Sequence, residues 1–215
     1  MLDRGWVAGP GVLPDPALPI AVQGTIAPFP PGPFSIVYCD PPWQFATRSA
    51  KGKGRSPEQH YRCMTLEDIK SLPVQSIAAR DCTLFLWGTW PCLPQVLEVI
   101  DAWGFRFKSC AFDWAKRTKT DTKYHMGCGY WTRANTEYCL LATKGKPKRV
   151  SAAVRQLIVA PVGRHSAKPP ETRDRIVQLL GDLPRIELFA RDQTPGWTSW
   201  GNEVPDSQVP RQGEV

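Results

Sequence analysis

A chain of 215 residues, 42 % hydrophobic and 22 % charged, fits one globular domain and excludes wholesale disorder. No apolar run reaches the ~18 residues needed to cross a bilayer, and no secretory leader pattern opens the chain, so a cytoplasmic protein without membrane contact is expected. Seven cysteines without a C-x-x-C pair fit reduced thiols, and a net charge of +7 favours a polyanionic partner.

Residues 1–33 hold eight prolines and five glycines and read as an extended arm. Phe34–Cys39 (FSIVYC) is a short apolar, β-branched run, predicting a buried strand. Asp40–Trp43 (DPPW) ends it, because two prolines cannot continue a central ladder. Thr65 followed by Asp68 predicts a capped helix through about Leu72. Cys82–Trp87 (CTLFLW) is a second buried strand. From Pro91, Leu93, Val96, Leu97, Ile100 and Trp103 recur at helical spacing, and Gly104 is a natural stop.

Phe105–Lys116, Thr136–Thr143 and Val154–Ala160 are further strands. A helix is expected from Pro169 to Leu180 with Gly181 past its end, then a strand at Ile186–Phe189 and an edge strand at Trp197–Trp200. The tail, residues 204–215, is polar and loose, which leaves 34–203 as the folded domain. Strands alternating with helices imply an α/β fold: a mostly parallel sheet covered on both faces, with ligands beyond the carboxyl ends of the strands. DPPW lies at one such end.

The positive charge is concentrated. Arg48, Lys51, Lys53, Arg55 and Arg62 face one acid, Glu58; Lys116, Arg117, Lys119, Lys123 and Arg133 face Asp121 alone. Both stretches read as loops. They are either a phosphate-contacting surface or simply solvated.

The sharpest chemical signal is Ile36–Trp43 (IVYCDPPW). An adenine amine is a poor nucleophile because its lone pair is delocalised into the ring. Acceptors aimed at its two N–H bonds help the nitrogen pyramidalise and offset the charge that grows on it. Asp40 offers a carboxylate, the Pro41 carbonyl a second acceptor stiffened by the Pro41 and Pro42 rings, and Trp43 a flat face for an extruded base. The plain alternative is an Asp-Pro turn after a core strand.

Here the chain resembles the MT-A-70 family of adenine methyltransferases, which includes the catalytic subunit of the messenger-RNA methyladenosine writer. The likeness runs from Phe34 to Asn202 through IVYCDPPW, HYRCMTLEDI, TLFLWGTW, WGFRFKSCAFDWAK, YWTRANTEYCLLATKG, RHSAKPPE, RIELFAR and WTSWGNE, in order. It implies a Rossmann-like methyltransferase fold in permuted motif order, S-adenosylmethionine as cofactor, and methylation of the N6 amine of adenine in nucleic acid. By that resemblance Asp40, Pro41, Pro42 and Trp43 are catalytic. Cys39, Asp40, Lys168, Glu187, Arg191, Gln193, Thr194, Asn202 and Glu203 hold the cofactor. Tyr61, Trp114, Lys116, Glu137, Arg164 and His165 lie on the substrate side. Read alone, Arg191 and Lys168 are equally well surface charges, and Trp114 a core aromatic.

Two departures stand out. Messenger-RNA writers carry an acid about eighteen positions before the DPPW aspartate, where this chain reads AVQGTIAPF, and the loop from Trp43 to Tyr61 is longer and more basic here. His125 and Cys128 have ligand spacing but no second pair, so no metal is expected. No cysteine nucleophile is supported. The rivals are a cytosine-N4 methyltransferase and a non-catalytic nucleic-acid-binding subunit, although an intact DPPW speaks against decay. DNA is slightly preferred to RNA on economy of size, and a homo- or heterodimer is compatible with the sequence.

Overall fold

FSIVYC forms β1 (Phe34–Cys39) because five of its six residues are hydrophobic groups buried on both sides of the sheet. The computed structural model describes residues 28–44, 63–127, 129, 131–163 and 167–201. The arm before residue 28, the first basic loop and the C-terminal tail lie outside the described residues. Residues 28–33 contain neither helix nor strand.

α1 (Leu66–Ser71) starts as expected. The Thr65 hydroxyl accepts the Asp68 backbone N–H at 3.1 Å and donates to the Asp68 carboxylate at 2.7 Å. A short α2 (Val74–Ile77), which periodicity did not predict, leads into β2 (Ala78–Gly88). A single 3₁₀ turn (Trp90–Cys92) precedes α3 (Leu93–Ala102), and the Trp103 indole N–H ties α3 to the Ile69 carbonyl at 2.9 Å. The chain continues through β3 (Arg106–Arg117), β4 (Thr136–Lys144), β5 (Leu157–Pro161), α4 (Glu171–Leu180), β6 (Arg185–Leu188) and β7 (Thr198–Trp200). Gly181, at φ 87°, closes α4 in a backbone conformation that only glycine adopts readily.

The seven strands form one sheet in the order β5-β3-β4-β2-β1-β6-β7. β1 pairs in parallel with β2 and β6, β6 with β7, and β3 with β5. Only β4 is reversed, antiparallel to both β2 and β3. The second basic stretch joins β3 and β4, which pair antiparallel as a hairpin, with no helix between them among the described residues. The strand carrying DPPW comes first in the chain and sits centrally, next to the late strand β6, as a permuted Rossmann-like α/β fold requires.

The sheet separates two cores. One packs Val37, Cys39, Leu84, Leu86, Leu140 and Ile186 beneath α1, α2 and α3. The other packs Tyr38, Phe85, Trp87, Phe112, Trp114 and Ile158 beneath α4, through Ile176 and Leu180. Helices thus cover both faces, each burying an apolar stripe.

Candidate active site at the carboxyl edge of the sheet

Topology decides which side chains meet. β1, β2, β3, β5 and β6 all finish at one edge of the sheet, and the reversed β4 begins there. Asp40 follows β1, Lys116 is the next-to-last residue of β3, Glu137 is the second residue of β4, and Lys168 precedes α4. Alternation along β1 puts Asp40 on the Tyr38 side, above the aromatic core.

These four groups form one network. The Lys168 ammonium donates to Oδ2 of Asp40 and pairs with Oε2 of Glu137 at 3.4 Å, while the Lys116 ammonium donates to Oε1 of Glu137. Beneath them the two lysines lie over indoles: Lys168 is 5.5 Å from the Trp87 ring and Lys116 5.0 Å from the Trp114 ring. The rings are themselves fixed, since the Trp87 N–H donates to the Tyr38 hydroxyl at 2.8 Å and the Trp114 N–H to the Ala160 carbonyl at 2.9 Å. Lys168 is only 8 % exposed, whereas the Asp40 side chain keeps 30 % of its surface open. Asp40 is the accessible end of a largely buried network.

The electrostatics follow from that geometry. Burial pushes the Asp40 carboxyl above its ordinary value; Lys168 and Arg191 pull it back and Glu137 pushes it further up. Burial works the same way on Glu137, but Lys168 and Lys116 overcome it and hold that carboxyl below its ordinary value. Burial would lower Lys168, yet Asp40 and Glu137 keep it firmly protonated. Two carboxylates in one network are therefore driven apart, Glu137 held below its ordinary value and Asp40 above it.

The DPPW turn is tightly built. The Pro41 carbonyl accepts the Trp43 backbone N–H at 2.8 Å, which uses one of its two lone pairs, and the Pro42 carbonyl accepts the Met64 N–H at 3.0 Å. Trp43 departs from expectation. It is 6 % exposed, packs in the aliphatic core, and its indole N–H donates to the Trp87 carbonyl at 3.0 Å. Its ring anchors the turn to β2 and offers no open face, because an indole with a buried N–H needs an internal acceptor.

Three other expectations change. Cys39 is wholly buried with its thiol toward the Phe85 carbonyl at 3.7 Å, so its side chain belongs to the core. Trp114 is core, a floor under Lys116. Glu187 has both oxygens engaged by Arg173, at 2.6 and 2.5 Å, and this bidentate pair pins α4 to β6. Arg191 lies near enough to Asp40 to lower its pKa, Gln193 is exposed, and Thr194 is partly exposed with its carbonyl bound by the Trp197 N–H at 3.0 Å. Tyr61, Arg164, His165, Asn202 and Glu203 lie outside the described residues.

Sequence reasoning missed Arg173, Tyr38 and Trp87. A signal for Arg173 existed: three residues before the buried Ile176, it shares the inward stripe of α4 and so needed an acid opposite. Among the described residues no group of three or more His, Cys, Asp or Glu is placed to hold a metal, and no helix is long and apolar enough to cross a membrane.

The donor set suits S-adenosylmethionine. An ammonium has three donors and Asp40 and Glu137 take two, which leaves one on Lys168 for a carboxylate. Gly201 is so close to the Ala190 carbonyl that a Cβ would lie 2.2 Å from it, which draws the ends of β6 and β7 together beside Arg191.

The MT-A70 family model matches residues 34–203. Over 201 residues the chain is 33 % identical to the Type II methyltransferase M.MunI of Mycoplasma sp., covering 85 % of this chain and 83 % of that protein. It is 28 % identical to the human N(6)-adenosine-methyltransferase catalytic subunit METTL3 over 177 residues, 80 % of this chain and 28 % of that one. It is also 28 % identical to an MT-A70-like N(6)-adenosine-methyltransferase of Arabidopsis thaliana over 185 residues, 85 % of this chain and 25 % of that one. The chain thus spans most of M.MunI and about a quarter of the plant and animal relatives. It belongs to the MT-A70 family of S-adenosylmethionine-dependent adenine-N6 methyltransferases.

Proposed function

We propose that this protein methylates the N6 amine of adenine within a nucleic-acid strand, DNA before RNA, with Asp40 as the residue that meets the amine. The observation that carries the reading is a partly open carboxylate, its pKa raised by burial, at the end of a central strand and held from behind by Lys168. When bound, S-adenosylmethionine supplies a methyl group carried on a positively charged sulfur. Lys168 would hold its carboxylate through the remaining donor, with Arg191, Gln193 and Thr194 on the loop after β6 beside it.

The chain's own part is orientation and proton handling. Oδ2 of Asp40 is committed to Lys168, so Oδ1 is the oxygen left for the amine N–H, and the second lone pair of the Pro41 carbonyl takes the other. Both acceptors draw the nitrogen lone pair out of conjugation as the new N–C bond forms, and they stabilise the cationic amine in the transition state. Asp40 then receives the proton that the methylated amine sheds, a role suited to a carboxyl whose pKa is raised by burial. The buried Glu137–Lys116 pair keeps Lys168 in place without competing for that proton.

Preference for DNA rests on the match over most of M.MunI, against a quarter of the N(6)-adenosine enzymes. The thiols of Cys39, Cys82 and Cys139 are buried and unpaired, in keeping with a reducing, cytoplasmic setting. The test offers radiolabelled cofactor with mixed single-stranded and duplex DNA and RNA, then digests the product to nucleosides. N6-methyldeoxyadenosine is expected. N6-methyladenosine alone would reverse the DNA preference, and N4-methylcytosine would overturn the base assignment.

A further inference from the structure

The hairpin between β3 and β4 is rooted in the active site and ends in an aromatic side chain that nothing in the fold explains. At its base the Lys116 carbonyl accepts the His125 N–H at 2.8 Å, and the Lys116 N–H donates to the Asn135 carbonyl at 2.9 Å. Arg117 grips Asp121, through its carboxylate at 3.0 Å and its carbonyl at 2.7 Å, and lies 4.8 Å over the Tyr124 ring. The Gly127 N–H reaches the Ala134 carbonyl at 2.9 Å, and a Cβ on Gly129 would lie 2.2 Å from the Thr132 carbonyl. This is a folded knob closed by a tight turn.

Trp131 stands on that turn. It is fully exposed and sits at φ 64°, a left-handed conformation costly for a bulky side chain. On the same hairpin Lys119, Lys123 and Arg133 are exposed and form no ion pair among the described residues, while Asp121 is taken by Arg117. A strained, wholly hydrated indole on a hairpin that also carries exposed cations matches a ligand with flat apolar faces on an anionic backbone. Trp131 lies six positions before Glu137, so their Cα atoms are at most about 20 Å apart, a few nucleotides along a strand.

We infer that this hairpin is a second nucleic-acid contact, in which Trp131 stacks on an unpaired base flanking the target adenine while Lys119, Lys123 and Arg133 meet the adjoining phosphates. The inference builds on the proposed function and names how the strand is held. An unpaired base is required because a stacked duplex hides its faces, which commits the flanking segment to single-stranded form.

The test measures binding of a labelled mixed-sequence single-stranded oligonucleotide by anisotropy, and its methylation. Trp131→Ala should weaken binding and raise KM roughly 5- to 150-fold with kcat within about twofold. Trp131→Phe should recover most of the loss and Trp131→Leu little of it. Lys123→Ala and Arg133→Ala should each flatten the salt dependence of log K by about 0.7. Unchanged binding in Trp131→Ala overturns the inference. So does a fall in sedimenting mass in that variant, which would assign the indole to self-association. If the wild type methylates no oligonucleotide the proposed function fails, yet the binding measurement still decides the role of Trp131.

Discussion

The two faces of the sheet are made by alternate residues of the same strands, yet the linked network of Asp40, Glu137, Lys116 and Lys168 stands on only one of them. Beneath α1, α2 and α3 the layer is mostly aliphatic side chains and thiols, with the rings of Phe34, Trp103, Phe105 and Tyr138 dispersed among them, and Trp43 from DPPW is sealed inside it. Beneath α4 the layer is aromatic: Tyr38, Trp87, Phe112 and Trp114, with two indole N–H groups satisfied and two ring faces turned to ammonium groups. Buried charge is tolerable where it is paired and where polarisable rings stand in for water. An aliphatic floor would leave Lys168 with its carboxylates alone. The aliphatic face supplies stability; the aromatic face supplies stability and a platform for chemistry.

Substitutions on each face sharpen or break that contrast. The largest effect is expected from Asp40→Ala, which should lower methyl transfer roughly 10²- to 10⁴-fold in a radiolabel assay while near-ultraviolet circular dichroism stays native. Removing one partner of the pair that pins α4, with Glu187→Ala, leaves Arg173 unpaired and should cost about 3 kcal/mol in urea unfolding. On the opposite face Leu84→Ala should cost about 2–5 kcal/mol in the same measurement, with KM and kcat per folded molecule unchanged. A loss of kcat there would erase the distinction between the faces. Trp87→Phe, which forfeits the bond to the Tyr38 hydroxyl, should cost about 1 kcal/mol and also reduce kcat, because Lys168 loses the better part of its floor. Thr65→Ala is the smallest: about 1 kcal/mol through the lost helix cap, and no change in activity.

Much of this was legible before any coordinates. β1 runs from Phe34 to Cys39 as expected because six residues between a proline-rich arm and DPPW leave no room for another reading. α4 runs from Glu171 to Leu180 because Ile176, Leu180 and Gly181 mark both its stripe and its end. Strand direction was not legible: Thr136–Lys144 alternates no differently whether it runs with or against β2, and its reversal is what brings Glu137 to the active edge. Nor did residue type separate ligand from core. Cys39, Trp43 and Trp114 belong to motifs that frame a site, but framing is what they do, from inside. The convergence of Lys116, Glu137 and Lys168 on Asp40 joins residues up to 128 positions apart, a pairing that no local pattern encodes.

The central claim is that methyl transfer needs Asp40 ionised, with its pKa set by the network behind it. The acid limb of the pH profile of kcat/KM reads that directly. Burial raises the carboxyl, and so activity is predicted to fall, as pH drops, above the ordinary carboxylate range. Glu137→Gln removes a negative neighbour that holds the Asp40 pKa up, and should move that limb to lower pH. A limb that stays in place in Glu137→Gln, or an Asp40→Asn variant that keeps wild-type turnover, would contradict the account.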